Sequence, residues 1–160
     1  MSRVIYTEPL SAKEFAPFGD ILDSDGAPDQ MINQGLCGRY HDRAKLEFTT
    51  GRAGINIFDA TPRALPYQLD MMERHPLGSQ AFIPMTDTPF LITAAKDNSG
   101  VPDQVRAFLS RPGQAINFHR NIWHGVLTPL HAPGLFAVID RIGEGINLEE
   151  FTFDTPYNIQ

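Results

Sequence analysis

The sequence has almost no cysteine. Cys37 stands alone among 160 residues, so no internal disulfide can brace the fold. Its neighbours Leu36 and Gly38 read as ordinary packing, which makes a nucleophilic cysteine a poor expectation. Long apolar runs are missing as well. No stretch reaches the roughly 20 apolar residues a membrane span requires, and Met1 to Leu10 carries no signal-peptide h-region. The expected location is the cytoplasm. Positive charge is also scarce, since the formal net charge is −6. A surface with that balance offers no footprint for nucleic acid or an anionic membrane. An anionic small molecule would have to meet a local cluster of cations.

Repeats, low-complexity tracts, linkers and charge runs are absent too. The length and an apolar fraction of 42% suit one domain spanning residues 1–160, large enough to enclose a core and a small-molecule pocket.

Helical periodicity is hard to find because 13 prolines and 13 glycines interrupt the chain at short intervals. Short runs of β-branched and aromatic residues fill the gaps. They lie at 54–58, 80–84, 89–93, 105–109 and 135–139. Runs of that length bounded by turn formers predict many short strands in a sandwich or barrel. A closed barrel suits them, since closure removes exposed strand edges. One short helix is expected over Ser11–Phe18, with Ser11 as N-cap and Glu14 completing a capping box. The segment Ala60–Leu69, with Pro62 and Pro66, is expected to be irregular.

Ionisable residues collect in four of these surroundings: 31–42, 73–84, 113–124 and 138–141. Glu73 and His75 are two apart, so on a strand they share a face, while Arg74 points away. Gln80 follows after a Pro76-Leu77-Gly78 turn. His119-Arg120-Asn121 reads as a turn into a strand that carries His124. Blander readings stand beside these: a Glu73–Arg74 surface pair, strand-end or core histidines, and an internal Asp140–Arg141 ion pair. His41 is expected to be structural or at a subunit contact, and His131 to be a loop residue.

The pattern resembles the cupins. Glu73-x-His75, Gln80 and the apolar strand that follows are similar to the first cupin motif, with Glu and Gln substituted. His119-x-Asn121-x-x-His124 is similar to the second, with His119 in the proline place and Asn121 in the glycine place. The stretches RYHD, ERHPLGSQAFIPM, NFHRNIWH and IDR, met in that order along the chain, resemble one cupin family far more closely, the ureidoglycolate lyases. The resemblance implies an all-β fold, a cupin-type jelly-roll β-barrel with a few short helices. It implies a homodimer that cleaves ureidoglycolate to glyoxylate and urea in allantoin degradation. It also implies a metal set of Glu73, His75, Gln80 and His124, with a divalent ion, Ni²⁺ by resemblance and Mn²⁺ or Zn²⁺ as alternatives.

That substrate needs a proton taken from a hydroxyl, a proton given to a departing nitrogen, and a cation for its carboxylate. His75, His124 and Glu73 are therefore the expected catalytic groups. Arg39, Arg120 or Arg141 is expected to bind the carboxylate, since guanidinium pairs with it bidentately. Asn33 and Gln80 are expected at the ureido end, and His119 completes the expected substrate-binding set. Other small-molecule cupin enzymes, isomerases or dioxygenases, and non-catalytic ligand-binding cupins stay open at this stage, because fold alone does not choose among them.

Overall fold

The computed structural model describes residues 3–160, which leaves the first two residues of the Met1–Leu10 stretch outside the described part. Nearly everything in it is strand. Two sheets face each other. One joins β1 (Arg3–Ile5), β2 (Glu8–Pro9), β7 (Tyr67–Arg74), β9 (Phe90–Asn98), β10 (Val101–Leu109), β12 (Trp123–His124), β13 (Thr128–Pro129) and β15 (Glu149–Ile159). The other runs in the order β3 (Gly19–Leu22), β11 (Ala115–Phe118), β8 (Gln80–Pro84), β14 (Leu135–Ile142) and β6 (Arg52–Asp59). A separate hairpin, β4 (Gln30–Ile32) with β5 (Cys37–Arg39), stands off both sheets.

All five expected strands are present, several of them longer than the apolar runs that announced them. The all-β reading and the cupin-type barrel hold. The larger sheet curls on itself, bringing β1 and β15 near β10. This half-barrel is capped by the smaller sheet. Side-chain alternation explains the layering. Phe82, Ile116, Phe118, Phe136 and Val138 of the smaller sheet meet Phe90, Ile92, Ala94 and Phe108 of the larger one in the barrel interior. The opposite face of the larger sheet buries Leu69, Met72, Ala95, Trp123, Phe153 and Ile159 under its own curl.

Three expectations need correction. The helix is only α1 (Ala12–Phe15), a single turn with Ser11 at its N-cap. Ser11 Oγ accepts from the Glu14 amide at 3.3 Å, but Glu14 does not reach back to close the capping box. Its carboxylate turns instead to Arg106, with Oε2 2.6 Å from Nη2, because an ion pair outbids a neutral amide. The irregular stretch ends at Pro66, and Tyr67 already begins β7. Leu36 and Gly38 are exposed in the β4–β5 hairpin along with Cys37, Leu36 at 85%, so the expected packing around the cysteine is not found.

Candidate metal and active site

β12 is two residues long and is wedged between β7 and β9. Its register sets His124 opposite Glu73 on one side and Ala94 on the other. Ala94 is small and fully buried, which leaves room for an imidazole inside the barrel. Trp123 points the opposite way, into the outer core. The turn that delivers this strand passes through Asn121 at φ 68°, a left-handed conformation that Asn tolerates better than most residues. Asn121 therefore does what glycine would do at its place in the motif. Its amide donates to the His75 carbonyl at 3.0 Å, tying the second motif to the first.

His124 is 1% exposed. Its ring stacks on Phe118, with centroids 4.3 Å apart and planes within 7°. His75 lies just past the end of β7, its ring centroid 5.2 Å from that of His124. Each imidazole spends its Nδ1 on a backbone carbonyl: His75 on Asn147 O at 2.7 Å, and His124 on Gly125 O at 2.9 Å. A carbonyl can only accept, so both Nδ1 atoms carry hydrogen and the neutral rings present bare lone pairs at Nε2. Both Nε2 atoms are buried and without a hydrogen-bond partner among the described residues. A Glu73 carboxylate oxygen stands 3.9 Å from His75 Nε2.

Three electron-rich groups thus converge with no hydrogen shared between the two rings. One donor atom from each of Glu73, His75 and His124 lies within 4.8 Å of the others. Ligands bonded to one ion at about 2.0–2.2 Å sit at most about 4.4 Å apart, so a divalent cation fits here after small shifts. The orphaned Nε2 pair is what such an ion would satisfy. The carbonyls behind the two Nδ1–H groups fix ring orientation, as outer partners of metal-bound histidines commonly do.

The environment sets the charge states. Burial raises the Glu73 carboxyl above its usual range. His75 opposes that shift, and Glu150, its cross-strand neighbour in β15, adds to it. Burial pushes the His124 imidazole down to about 3, with the His75 charge adding to it and the Gly125 carbonyl opposing. At neutral pH His124 is therefore an unprotonated base or ligand.

Gln80 opens β8 and shares the inner face with Phe82, whose ring is 6.4 Å from that of His124. It is 6% exposed. Its Nε2 donates to Asp140 Oδ2 at 3.3 Å, and its Oε1 is buried and unpaired. The other expected site residues are dispersed. Asn33 and Arg39 are exposed, Asn33 in the turn of the off-sheet hairpin and Arg39 on β5. His119 Nε2 is 3.0 Å from Asp20 Oδ1, which engages it away from the triad. Arg120 lies on the turn beside His75, its Nε toward Glu47 at 3.2 Å and its Nη1 on the Pro76 carbonyl at 3.1 Å.

Arg141 differs from its expected pairing. Asp140 faces the barrel with Phe136 and Val138, so strand alternation sends Arg141 to the other side of β14. Its guanidinium is taken up by Thr50 and by the Glu144 carbonyl. The internal Asp140–Arg141 ion pair is absent among the described residues. Asp140 instead accepts from two amides, Gln80 and Asn56.

Sequence reasoning missed Asn147, Gly125, Phe118 and Asn56. The first two act through main-chain carbonyls, which leave no side-chain signature. Gly125 does leave one trace, since a Cβ there would sit 2.2 Å from Thr93 Oγ1.

A curled all-β barrel that gathers one carboxylate, one buried imidazole and one half-buried imidazole at its interior is a cupin of the small-molecule type. The whole described length matches the family model "Ureidoglycolate lyase", over residues 2–160. A protein named ureidoglycolate lyase from Rhodobacter capsulatus is 57% identical over 154 residues, 96% of each chain. A protein named ureidoglycolate lyase 2 from Rhizobium meliloti is 50% identical, over 95% of this chain and 94% of its own. A ureidoglycolate lyase from a Chelativorans species is 48% identical, over 98% and 96%. This chain belongs to the ureidoglycolate lyase family.

Proposed function

We propose that this protein cleaves the C–N bond of ureidoglycolate, releasing glyoxylate and urea, at the cluster of Glu73, His75 and His124. The observation that carries the assignment is the pair of orphaned Nε2 lone pairs facing a partly buried carboxylate. The reaction adds no water. The hydroxyl oxygen becomes the aldehyde of glyoxylate as its proton leaves, the C–N pair goes to nitrogen, and nitrogen takes up a proton as urea departs.

Glu73 is the proposed proton carrier. Its raised pKa brings it closer to the working range of a general base. It takes the hydroxyl proton and returns one to the departing nitrogen. His75 and His124 present their Nε2 atoms to the same space beside Glu73 in a fixed orientation, backed by the Asn147 and Gly125 carbonyls. Arg120 is the proposed carboxylate partner, since its turn adjoins His75 through Pro76. Arg39 and Arg141 have less to support that role, the first being exposed on the off-sheet hairpin and the second held by Thr50 and Glu144.

A divalent cation, Ni²⁺ first with Mn²⁺ or Zn²⁺ as alternatives, would be held by Glu73, His75 and His124. When bound it supplies Lewis-acid polarisation of substrate oxygens. We further propose a cytoplasmic homodimer acting in allantoin degradation. Support for a dimer comes from the β4–β5 hairpin, which stands off both sheets and exposes Met31 and Leu36. An isolated hairpin is marginally stable in water, so a subunit contact there would cover it. Among the described residues, no helix is long and apolar enough to cross a membrane.

The test is direct. Purified protein is incubated with ureidoglycolate, with and without chelator, and urea, ammonia and glyoxylate are measured. Equimolar urea and glyoxylate are expected. Ammonia in place of urea, or no turnover with any of the three ions restored, overturns the reading.

A further inference from the structure

Within the barrel, next to the triad, lies a polar group that the proposed reaction has not yet used. Asp140, Asn56 and Gln80 occupy inner-face positions on three adjacent strands, β14, β6 and β8. Asn56 Nδ2 donates to Asp140 Oδ1 at 2.9 Å, and Gln80 Nε2 donates to Asp140 Oδ2 at 3.3 Å. One carboxylate thus holds two side-chain amides, one on each oxygen.

The polarity of this bridge is fixed. A carboxylate offers only acceptors, so each amide must turn its NH₂ toward Asp140 and its oxygen away. For Gln80 the consequence is specific. Its Oε1 is buried, carries no hydrogen-bond partner, and cannot exchange places with Nε2 without setting two acceptors against each other. An unpaired buried carbonyl destabilises the fold, and a ligand that donates to it would remove that cost. Gln80 also pairs in register with Phe118, the residue stacked on His124. The oxygen therefore opens on the same interior as the two imidazoles.

Of the groups on ureidoglycolate, the ureido end is rich in N–H donors and the carboxylate end offers none. We infer that Asp140 is a positioning residue that locks the Gln80 amide with its carbonyl inward, as the acceptor that recognises the N–H groups of a ureido substrate. This rests on the substrate proposed above and adds how the site tells a ureido compound from a simple hydroxy acid. Asn56 braces Asp140 from the other side.

The test uses two probes, each carrying half of the substrate's recognition features. N-carbamoylglycine has the ureido group and carboxylate without the hydroxyl, and glycolate has the hydroxyl and carboxylate without the ureido group. Affinity for each is measured by calorimetry on the wild type and on Asp140→Asn and Gln80→Met, with metal content determined in parallel. Both variants are expected to weaken N-carbamoylglycine about tenfold, the scale of one hydrogen bond to a buried group. Glycolate affinity should stay within about twofold and metal content should not change. The double variant Asp140→Asn with Gln80→Glu reverses the polarity of the bridge and keeps an acceptor facing inward. It should recover N-carbamoylglycine affinity, which a merely structural role for Asp140 does not predict. Equal losses for both probes, loss of metal in Gln80→Met, or no N-carbamoylglycine binding by the wild type would each overturn the inference. Turnover of ureidoglycolate by the wild type is read separately. A protein that binds N-carbamoylglycine selectively but cleaves nothing would sink the proposed reaction and leave this subsite standing.

Discussion

Glu73 and His124 are direct cross-strand partners in the β7–β12 ladder, so a carboxylate and an imidazole are set side by side by main-chain register rather than by loop conformation. His75 joins them from the turn that follows β7. A site built this way is as rigid as the sheet, and substitutions in it should affect chemistry more than folding.

His124→Ala is the sharpest probe of that claim. It should lower kcat/KM for ureidoglycolate by ~10²-fold or more, the usual weight of a positioned acid–base or ligand group. The ring is buried against Phe118, so a cavity cost of about 1–3 kcal/mol is expected. Circular dichroism should still show a folded β protein. Near-normal turnover would remove His124 from the site.

Metal binding should be visible as stability. Protein stripped by chelator should gain on adding Ni²⁺, about 2.7 kcal/mol at a hundredfold excess over Kd. Single replacements Glu73→Ala and His75→Ala should abolish most of that gain in a thermal-shift titration. Equal gains in wild type and both variants would place the ion elsewhere.

Acid should destabilise the stripped protein earlier than carboxylates alone would. In the folded chain His124 titrates at about 3, against an ordinary imidazole value of 6.5. Between those values the unfolded chain binds a proton the folded one refuses. Its contribution is therefore complete above about pH 6.5 and fades as pH falls toward 3. Asp20 and Asp97 act in the same direction at lower pH. Their carboxyls are held below 3.8, chiefly by the Lys45 amide against burial for Asp20 and by the Trp123 N–H for Asp97. Denaturant midpoints at pH 7.5 and 5 should differ more in the wild type than in His124→Phe, which lacks the titrating ring. The same difference in both would assign the acid sensitivity to other groups.

Arg74 supplies the contrast. It sits between Glu73 and His75 in sequence yet faces the other side of the sheet, over the Trp123 ring at 4.5 Å and paired with Asp97 and Glu149. Arg74→Ala should cost ~1–2 kcal/mol through lost cation–π and ionic contacts. Its kcat should remain within about threefold of wild type. A collapse of kcat with stability unchanged would contradict this division of faces.

Much of this was readable in the chain. Short β-branched runs between glycines and prolines marked the strands, and a two-residue spacing put Glu73, near the end of β7, and His75, just beyond it, on one side. The motif around Asn121 placed His124 with them. The two strands missed most plainly, β7 and β15, are the ones whose polar residues break the apolar pattern, as in Gln68, Asp70 and Asp154. Pairing with each other along their length stabilises them regardless. Long-range partners were out of reach for the same reason. Asp140 meets Gln80 across sixty residues of chain and His75 meets Asn147 across seventy-two. Nearest-neighbour logic paired Asp140 with Arg141, and strand alternation forbids it.

Trp123, the single tryptophan, is backed onto the sheet directly behind His124, its indole N–H held by Asp97 at 2.9 Å. The chain thus carries one fixed, shielded fluorophore a residue away from the reacting groups. Its emission is a built-in gauge of cation loading, free of any label, and a paramagnetic ion at the imidazoles should dim it while a diamagnetic one should not.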